Sequence, residues 1–164
     1  MKYLVIVSSI LASFSSWAVT TSDFGSWSLL CNDSSICTLS QLVAKDKEAT
    51  KVLLGVNVDY SYSQDFPVLK IKLPKNTLTK NGVGVKIDEF APLQVPFSGC
   101  DEKTCQSIIK IDSELLAQMH NGKTMLVAFQ KSESQQVTLP ISLAGFDEAY
   151  ANLNQNVKTE PNSL

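Results

Sequence analysis

Short runs of apolar and β-branched residues, separated by polar turn-forming segments, follow one another along the chain from Phe24 onward. Runs of this length and spacing are typical of β-strands rather than of long helices. Nine such runs predict an all-β fold, a β-sandwich with a barrel-like alternative. The predicted strands are Trp27–Cys31, Ile36–Val43, Val52–Tyr60, Val68–Leu73, Gly84–Ile87, Leu93–Phe97, Thr104–Ile111, Thr124–Gln130 and Gln136–Ile141.

Two of these runs predict different degrees of burial. In Val68–Leu73, Leu69, Ile71 and Leu73 alternate with Lys70 and Lys72, which predicts one buried and one solvated face. The run from Met125 to Phe129 is continuously apolar, which predicts a strand that is covered on both faces.

Two segments have the spacing of a short helix. The first runs from Asp112, a predicted N-cap, to His120, before the stop signal Asn121-Gly122. The second runs from Phe146 to Leu153, after Gly145. Residues 154–164 contain few apolar side chains and are predicted to form a disordered tail.

The first 18 residues have the pattern of a secretory signal peptide. A lysine at position 2 precedes an apolar stretch, and Ser16-Trp17-Ala18 places small residues at positions −3 and −1 of a cleavage site after Ala18. We therefore expect an exported protein with one mature domain over residues 19–153. No later stretch is long and apolar enough to be a membrane-spanning helix, so the mature chain is predicted to lack a transmembrane segment.

The four cysteines fall into two close pairs, Cys31 with Cys37 and Cys100 with Cys105. Four cysteines allow three disulfide connectivities. Polar turn formers inside each pair favour the two local bridges, and an exported chain meets the oxidising conditions that they require. Neither spacing is that of a redox or zinc motif, which favours a structural role over a metal site.

The charge balance excludes several classes of function. The chain has 14 basic residues against 16 acidic ones and a formal net charge of −2, and all the basic residues are lysines. Nucleic-acid binding would lack its usual electrostatic drive, and bidentate recognition by arginine is unavailable. We expect neither a nucleic-acid partner nor a cofactor.

Candidate catalytic residues are few. His120 is the only histidine, and at a helix end it is predicted to be solvated and to interact favourably with the helix C-terminus. Ser142 lacks the flanking glycines of a nucleophile elbow and is predicted to be a turn or capping residue. The segment Asn81-Gly82-Val83-Gly84 lacks the further residues of a phosphate-binding loop and predicts a β-turn.

Adjacent carboxylates and an aromatic group are the remaining candidates. The acidic pairs are predicted to lie in turns or at a helix start, although a hydrolase built from two of them stays an alternative. These pairs are Asp88-Glu89, Asp101-Glu102 and Asp147-Glu148. Tyr60 and Tyr62 with Phe66 predict either an exposed binding rim or partly buried packing.

Several motifs together resemble the invasion-associated locus B family of Gram-negative bacteria. Phe24-Gly25-Ser26-Trp27-Ser28-Leu29-Leu30-Cys31 resembles the opening strand of that family, and Cys37-Thr38-Leu39-Ser40-Gln41 resembles its second signature. Cys100 and Cys105 resemble its second cysteine pair, and Leu139-Pro140-Ile141-Ser142-Leu143-Ala144-Gly145-Phe146 resembles its closing motif. The resemblance spans about residues 24–153.

The resemblance implies a periplasmic or surface-associated β-rich domain, linked in some members to host-cell invasion and so to virulence. It brings no catalytic residues. It also implies architectural roles for Trp27 and Phe146 as core anchors and for Gly145 as a turn former. The absence of arginine and the polar segment Ser61–Asp65 depart from many members of the family.

Our leading hypothesis is an exported, non-enzymatic β-sandwich that binds a protein or a component of the cell envelope. It is expected in the periplasm, with surface association or secretion as alternatives. One rival is a periplasmic hydrolase that uses paired carboxylates. The other is an envelope assembly or chaperone-like factor, which would have an unpaired edge strand and a large apolar groove.

Overall fold

The computed structural model describes residues 20–32, 36–44 and 52–158. The predicted signal peptide and residues 159–164 of the predicted tail lie outside these residues. The predicted all-β sandwich is confirmed, since the described strands form two antiparallel sheets accompanied by two short α-helices.

Eleven strands and two helices make up the described fold. In chain order they are β1 (Thr20–Phe24), β2 (Trp27–Cys31), β3 (Cys37–Ala44), β4 (Val52–Asp59), β5 (Val68–Pro74), β6 (Val83–Ile87), β7 (Leu93–Val95), β8 (Gly99–Cys100), β9 (Thr104–Lys110), α1 (Ser113–Asn121), β10 (Thr124–Ser132), β11 (Gln135–Ser142) and α2 (Phe146–Lys158). The seven-stranded sheet has the order β1-β2-β3-β4-β5-β9-β8, and the four-stranded sheet has the order β11-β10-β6-β7. All nine predicted strands are present, with ends shifted by at most two residues.

The sequence did not predict β1 and β8. Strand β1 has the sequence TTSDF, and its first four residues are exposed, so it carries no alternating apolar signal. It forms by pairing with β2 around the two-residue turn Gly25-Ser26, where Phe24 lies opposite Trp27. Strand β8 has only two residues, both exposed, and pairs with β9 next to a disulfide.

The core lies between the two sheets. Leu39, Val58, Leu69 and Ile109 are neighbours across β3, β4, β5 and β9, and all four are buried. The alternation predicted for Val68–Leu73 is present, because its leucines and isoleucine are buried whereas Lys72 is exposed. Burial of this continuous apolar layer is the main contribution to folding stability.

The prediction that the run from Met125 to Phe129 is covered on both faces was wrong. Met125, Val127 and Phe129 point into the core, but Leu126 is 36% exposed and Ala128 is half-buried on the other face. The run alternates because the four-stranded sheet buries only its inner face. Its outer face is therefore available to solvent at this strand.

Helix α1 begins as predicted, with the Asp112 side chain accepting a hydrogen bond of 2.8 Å from the Leu115 N–H. Helix α2 packs on β1, β2 and β3 at the edge of the seven-stranded sheet. Neither helix has the length and apolar character needed to cross a membrane.

The predicted end of the second helix was wrong, since α2 continues five residues beyond Leu153 to Lys158. Residues 154–158 are therefore helical rather than part of a disordered tail. Leu153 is fully buried, and the Asn154 side chain accepts a hydrogen bond from the Tyr60 hydroxyl at 3.4 Å. These tertiary contacts stabilise a segment whose composition alone indicates disorder.

Candidate functional site

Both predicted disulfides are confirmed. Cys31–Cys37 joins paired positions of β2 and β3, and Cys100–Cys105 joins paired positions of β8 and β9. All four cysteines of the chain are therefore bridged, and none is free to act as a thiolate nucleophile or metal ligand.

Two of the predicted acidic pairs shape turns. The Asp88 carboxylate accepts hydrogen bonds from the N–H groups of Lys123 and Thr124, at 2.8 and 3.0 Å, and so links the end of β6 to the start of β10. Asp101 accepts hydrogen bonds of 2.7 Å from the N–H groups of Lys103 and Thr104. The hydrogen bond from Thr104 N–H, followed by that from Lys103, lowers the pKa of Asp101.

The third acidic pair lies at the start of α2, where Asp147 contacts the single histidine. His120 Nδ1 lies 2.5 Å from Asp147 Oδ1, and the histidine ring packs against Phe146 and Tyr150 with centroids 5.5 Å apart in both cases. The expectation of a merely solvated residue was thus incomplete. His120 connects the last turn of α1 to the first turn of α2.

Ser142 lies at a junction between the two sheets. Its main-chain N–H donates to Gln41 Oε1 at 3.0 Å, and its carbonyl accepts from Trp27 Nε1 at 3.0 Å and from Gln41 Nε2 at 2.9 Å. Its hydroxyl accepts a hydrogen bond of 3.2 Å from the Ala144 N–H, which is the role of a turn residue.

Trp27, Phe146 and Gly145 lie beside this junction. The two rings are fully buried and pack edge to face with centroids 5.3 Å apart. Gly145 has φ = +85°, and a Cβ there would lie 2.1 Å from the Phe24 carbonyl oxygen, so only glycine fits.

Tyr60 has different surroundings from the other two aromatic residues of the predicted rim. Tyr60 packs against the core, and its hydroxyl lies 3.1 Å from that of Tyr150 on α2. Burial and then this hydrogen bond raise the pKa of Tyr150. Of the two alternatives predicted for these residues, Tyr60 therefore takes the partly buried packing rather than the exposed rim.

Tyr62 and Phe66 lie against lysines of the outer face of the seven-stranded sheet. Lys70 Nζ is 5.6 Å from the centroid of the Tyr62 ring, and Lys110 Nζ is 4.3 Å from that of Phe66. Lys70 on β5 lies opposite Ile108 on β9, and Lys110 is two residues further along β9 on the same face. The two lysines are therefore diagonal neighbours. We call Tyr62, Phe66, Lys70 and Lys110 the aromatic–lysine surface.

Further hydrogen bonds hold Lys70 in place. Its Nζ donates to Asp59 Oδ2 at 2.8 Å and to Ser61 Oγ at 2.6 Å. Burial raises the pKa of Asp59, but the hydrogen bonds from Lys70 and Ser61 and the charge of Lys70 outweigh it, so the pKa lies below its ordinary value. The sequence pattern correctly predicted that Lys70 lies on the solvated face of its strand, but it did not predict the contact with Tyr62.

The segment Asn81-Gly82-Val83-Gly84 leads into β6. A single turn of 3-10 helix covers Thr79–Asn81, and Gly82 follows with φ = +69° and donates its N–H to the Thr79 carbonyl. The segment therefore forms a tight turn before a strand. Within the described ranges, no group of three or more His, Cys, Asp or Glu residues could hold a metal ion.

Strand β11 is an outermost strand of its sheet, with β10 as its one neighbour among the described strands. Such an unpaired edge is one of the two features expected of an assembly factor. The other would be a large apolar groove. The apolar slot at the end of the sandwich near Val52, Phe129 and Val137 has a volume of about 90 Å³, which is small for such a role.

A family model for the invasion associated locus B (IalB) protein matches residues 27–154, from the buried tryptophan of β2 into α2. The chain belongs to the IalB family. Among solved structures, the crystal structure of invasion associated protein b from Bartonella henselae is similar, with a TM-score of 0.74 and 21% sequence identity over 85% of this chain and 99% of that one. This likeness shows a shared IalB fold. A search of curated proteins finds no match.

Proposed function

We propose that this IalB-family protein is exported and acts by binding a protein or another component of the cell envelope, in a role linked to host-cell invasion. The observation that carries this proposal is the aromatic–lysine surface. Tyr62 is 61% exposed, yet its ring lies over a lysine that is itself hydrogen-bonded to Asp59. A tyrosine ordered before binding loses little conformational freedom when a partner packs on it.

Export is supported by the two disulfides, because such bridges persist in oxidising compartments. The signal-peptide pattern of the first 18 residues agrees with it. Intact mass of the protein from its native host provides the test. A mature chain that begins at Val19 with both bridges intact would support export, and a retained leader or free thiols would contradict it.

The non-enzymatic part of the proposal is supported by how the polar residues are used. Asp88 and Asp101 bind main-chain N–H groups in turns, and His120 contacts an exposed aspartate between two helices. A hydrolase of two carboxylates needs them to face each other across a cleft, about 5–9.5 Å apart. The two aspartates instead shape turns of different sheets.

The binding test compares a variant of the aromatic–lysine surface with a variant at an exposed aromatic residue elsewhere. The double variant Tyr62→Ala/Phe66→Ala removes both rings of the aromatic–lysine surface. We expect at least a tenfold loss of binding to envelope vesicles and to host-cell surfaces, with little change in the thermal unfolding midpoint. Phe90→Ala is the control, since Phe90 is 44% exposed and lies in the turn between β6 and β7. Equal binding by the double variant and the control would refute the assignment.

The free edge of β11 favours the second candidate, an assembly role in which the sheet accepts a strand from a partner. The main-chain N–H and carbonyl groups of Ser142 bond to Gln41 and Trp27, so they point away from β10. Main-chain groups alternate in direction along a strand, so those of Thr138, four residues earlier, also point away from β10. Thr138→Pro removes an outward N–H without removing a bond to β10. Loss of partner binding in Thr138→Pro, with Tyr62→Ala/Phe66→Ala unaffected, would favour this candidate instead.

A further inference from the structure

We propose that the outer face of the four-stranded sheet carries a binding site for a neutral saccharide with N-acetyl groups. The site is a groove of about 140 Å³ with Gly84 and Ala128 at its floor. Its walls are carboxamide side chains: Asn81, Gln94, Gln130 and Gln136. The groove and the aromatic–lysine surface lie on different sheets, so the two assignments can be tested separately.

Strand register assembles the groove from four elements. Gly84 of β6 lies opposite Ala128 of β10 on one side and opposite Gln94 of β7 on the other. Gln130 of β10 lies opposite Gln136 of β11. Residues two apart on a strand share a face, so Ala128 and Gln130 lie on the same outer surface. The cross-strand neighbours of both residues therefore lie on that surface too.

The turn before β6 closes one end of the groove. Asn81 ends the 3-10 turn, and its carbonyl accepts a hydrogen bond from the Gln94 side-chain amide. This bond fixes the Gln94 side chain beside the floor, with its Oε1 turned towards Gly84. One wall of the groove is therefore ordered before any ligand arrives.

Neither backbone conformation nor crowding requires a glycine at position 84. Its φ is not positive, and a Cβ there would lie 3.4 Å from Gln94 Oε1 and 3.6 Å from the Ala128 Cβ, which are ordinary contact distances. Glycine inside a strand weakens it and often marks close approach of a ligand. Together with Ala128, it leaves a floor of main chain and C–H groups.

The lining selects an uncharged ligand that both donates and accepts hydrogen bonds. Asn81, Gln94, Gln130 and Gln136 are all carboxamides, each with an acceptor oxygen and two donor hydrogens, and no charged residue lines the groove. Sugar hydroxyls and acetamido groups match this set, and the apolar face of a sugar ring fits the C–H floor. An extended peptide fits less well, since β6 and β10 are paired on both sides and offer it no free main-chain ladder.

Gln130 indicates where an N–H donor would bind. Its Oε1 is shielded from solvent and has no hydrogen-bond partner within the described part of the protein. A buried acceptor without a donor destabilises the folded state. Rotation of the Gln130 side chain would turn this oxygen into the groove, where the N–H of a bound acetamido group would supply the missing donor.

Calorimetric titration of the folded protein with the trisaccharide of N-acetylglucosamine tests the site, with maltotriose as the sugar that lacks N-acetyl groups. We expect saturable binding of the former and at least tenfold weaker binding of the latter. Gly84→Leu, which fills the floor, should weaken binding at least tenfold. Lys86→Leu is the matched control, because Lys86 lies two residues along the same strand on the same outer face, opposite Leu126, and it should bind like the wild type.

Gln130→Leu separates binding from folding. It removes the buried acceptor at similar volume, so we expect weaker binding with an unchanged or raised thermal midpoint. Gln136→Ala, at an exposed position, should also weaken binding and provides a second variant if Gly84→Leu does not fold.

Three results would overturn the assignment: no saturable binding at millimolar trisaccharide, Gly84→Leu binding like the wild type, or self-association of the wild type that Gly84→Leu abolishes. The last would show that a second copy of the chain covers this face. Titration with soluble peptidoglycan fragments whose carboxyl groups have been amidated, and with desialylated N-glycans from host glycoproteins, then distinguishes the bacterial from the host source of the same uncharged chemistry. Tighter binding of either one supports the site.

Discussion

Trp27 Nε1 donates a hydrogen bond to the main-chain carbonyl of Ser142, 3.0 Å away and 115 residues later in the chain. The same carbonyl accepts a second bond from Gln41, whose Oε1 accepts the Ser142 N–H. Strands β2 and β3 of one sheet are thus joined to the last residue of the other sheet. The side chains of Trp27 and Gln41 satisfy edge main-chain groups that have no neighbouring strand.

Gln41→Ala should reduce the free energy of unfolding by about 1–3 kcal/mol, because it leaves the Ser142 N–H without its partner in a half-buried position. Urea denaturation followed by tryptophan fluorescence measures the change. Gln135→Ala, at the exposed start of β11, is the control and should change stability by less than about 0.5 kcal/mol. Equal stability of the two variants would contradict the role given to Gln41.

Gly145→Ala should be strongly destabilising, by at least about 2 kcal/mol, since it combines a positive φ with a clash against the Phe24 carbonyl. Gly99→Ala is the control, because a Cβ at position 99 has no atom within 4 Å. Thermal unfolding of both variants provides the comparison. A Gly145→Ala midpoint equal to that of Gly99→Ala would mean that the turn does not need glycine.

The disulfides should supplement the core rather than create the fold. Cys31→Ala/Cys37→Ala removes a bridge that closes a short loop, so we expect a loss of roughly 2 kcal/mol with a cooperative unfolding transition retained. Cys100→Ala/Cys105→Ala should have a similar effect. Chemical denaturation of both variants checks this, and an unfolded chain in either case would show that the core alone is insufficient.

Asp59 should make stability fall in acid. The pKa of Asp59 is lower in the folded protein than its ordinary value of 3.8. The contribution of Asp59 to the free energy of unfolding is therefore complete above pH 3.8 and is lost as the pH falls through the folded pKa. We expect Asp59→Asn to flatten the decline of unfolding free energy between about pH 5 and pH 2. Asp65→Asn, in an exposed loop, should keep the wild-type slope. A wild-type slope in Asp59→Asn would disprove the linkage to Lys70.

Local patterns were sufficient to predict most of the strands, the N-cap at Asp112 and both disulfides. They failed where tertiary contacts determine the structure. Strand β1 is polar and forms by pairing with β2, and α2 extends past Leu153 because Leu153 is buried and Asn154 bonds to Tyr60. The exposure of Leu126 depends on which sheet face is left uncovered, a property that a continuous apolar run does not encode.

The candidate surfaces were less predictable than the fold. Tyr62 and Phe66 were named from the sequence, but their lysine partners depend on how the segment between β4 and β5 folds over the outer face. The amide groove could not be predicted, because Gln94, Gln130 and Gln136 are brought together by the register of three different strands. The sequence pattern at Asn81, Gly82 and Gly84 predicts only a turn.

The Gly25 turn and the Gly145 turn close against each other, with the Ser26 N–H bonded to the Ala144 carbonyl at 3.0 Å. A ribosome that adds about 5–20 residues per second needs roughly 6–23 s to make the stretch between Trp27 and Ser142. During that interval the first hairpin has no docking site for its tryptophan, so the domain completes folding only after its last strand has been synthesised. Such late closure suits the export proposed for this chain, because a chain must be unfolded to pass through a translocation channel.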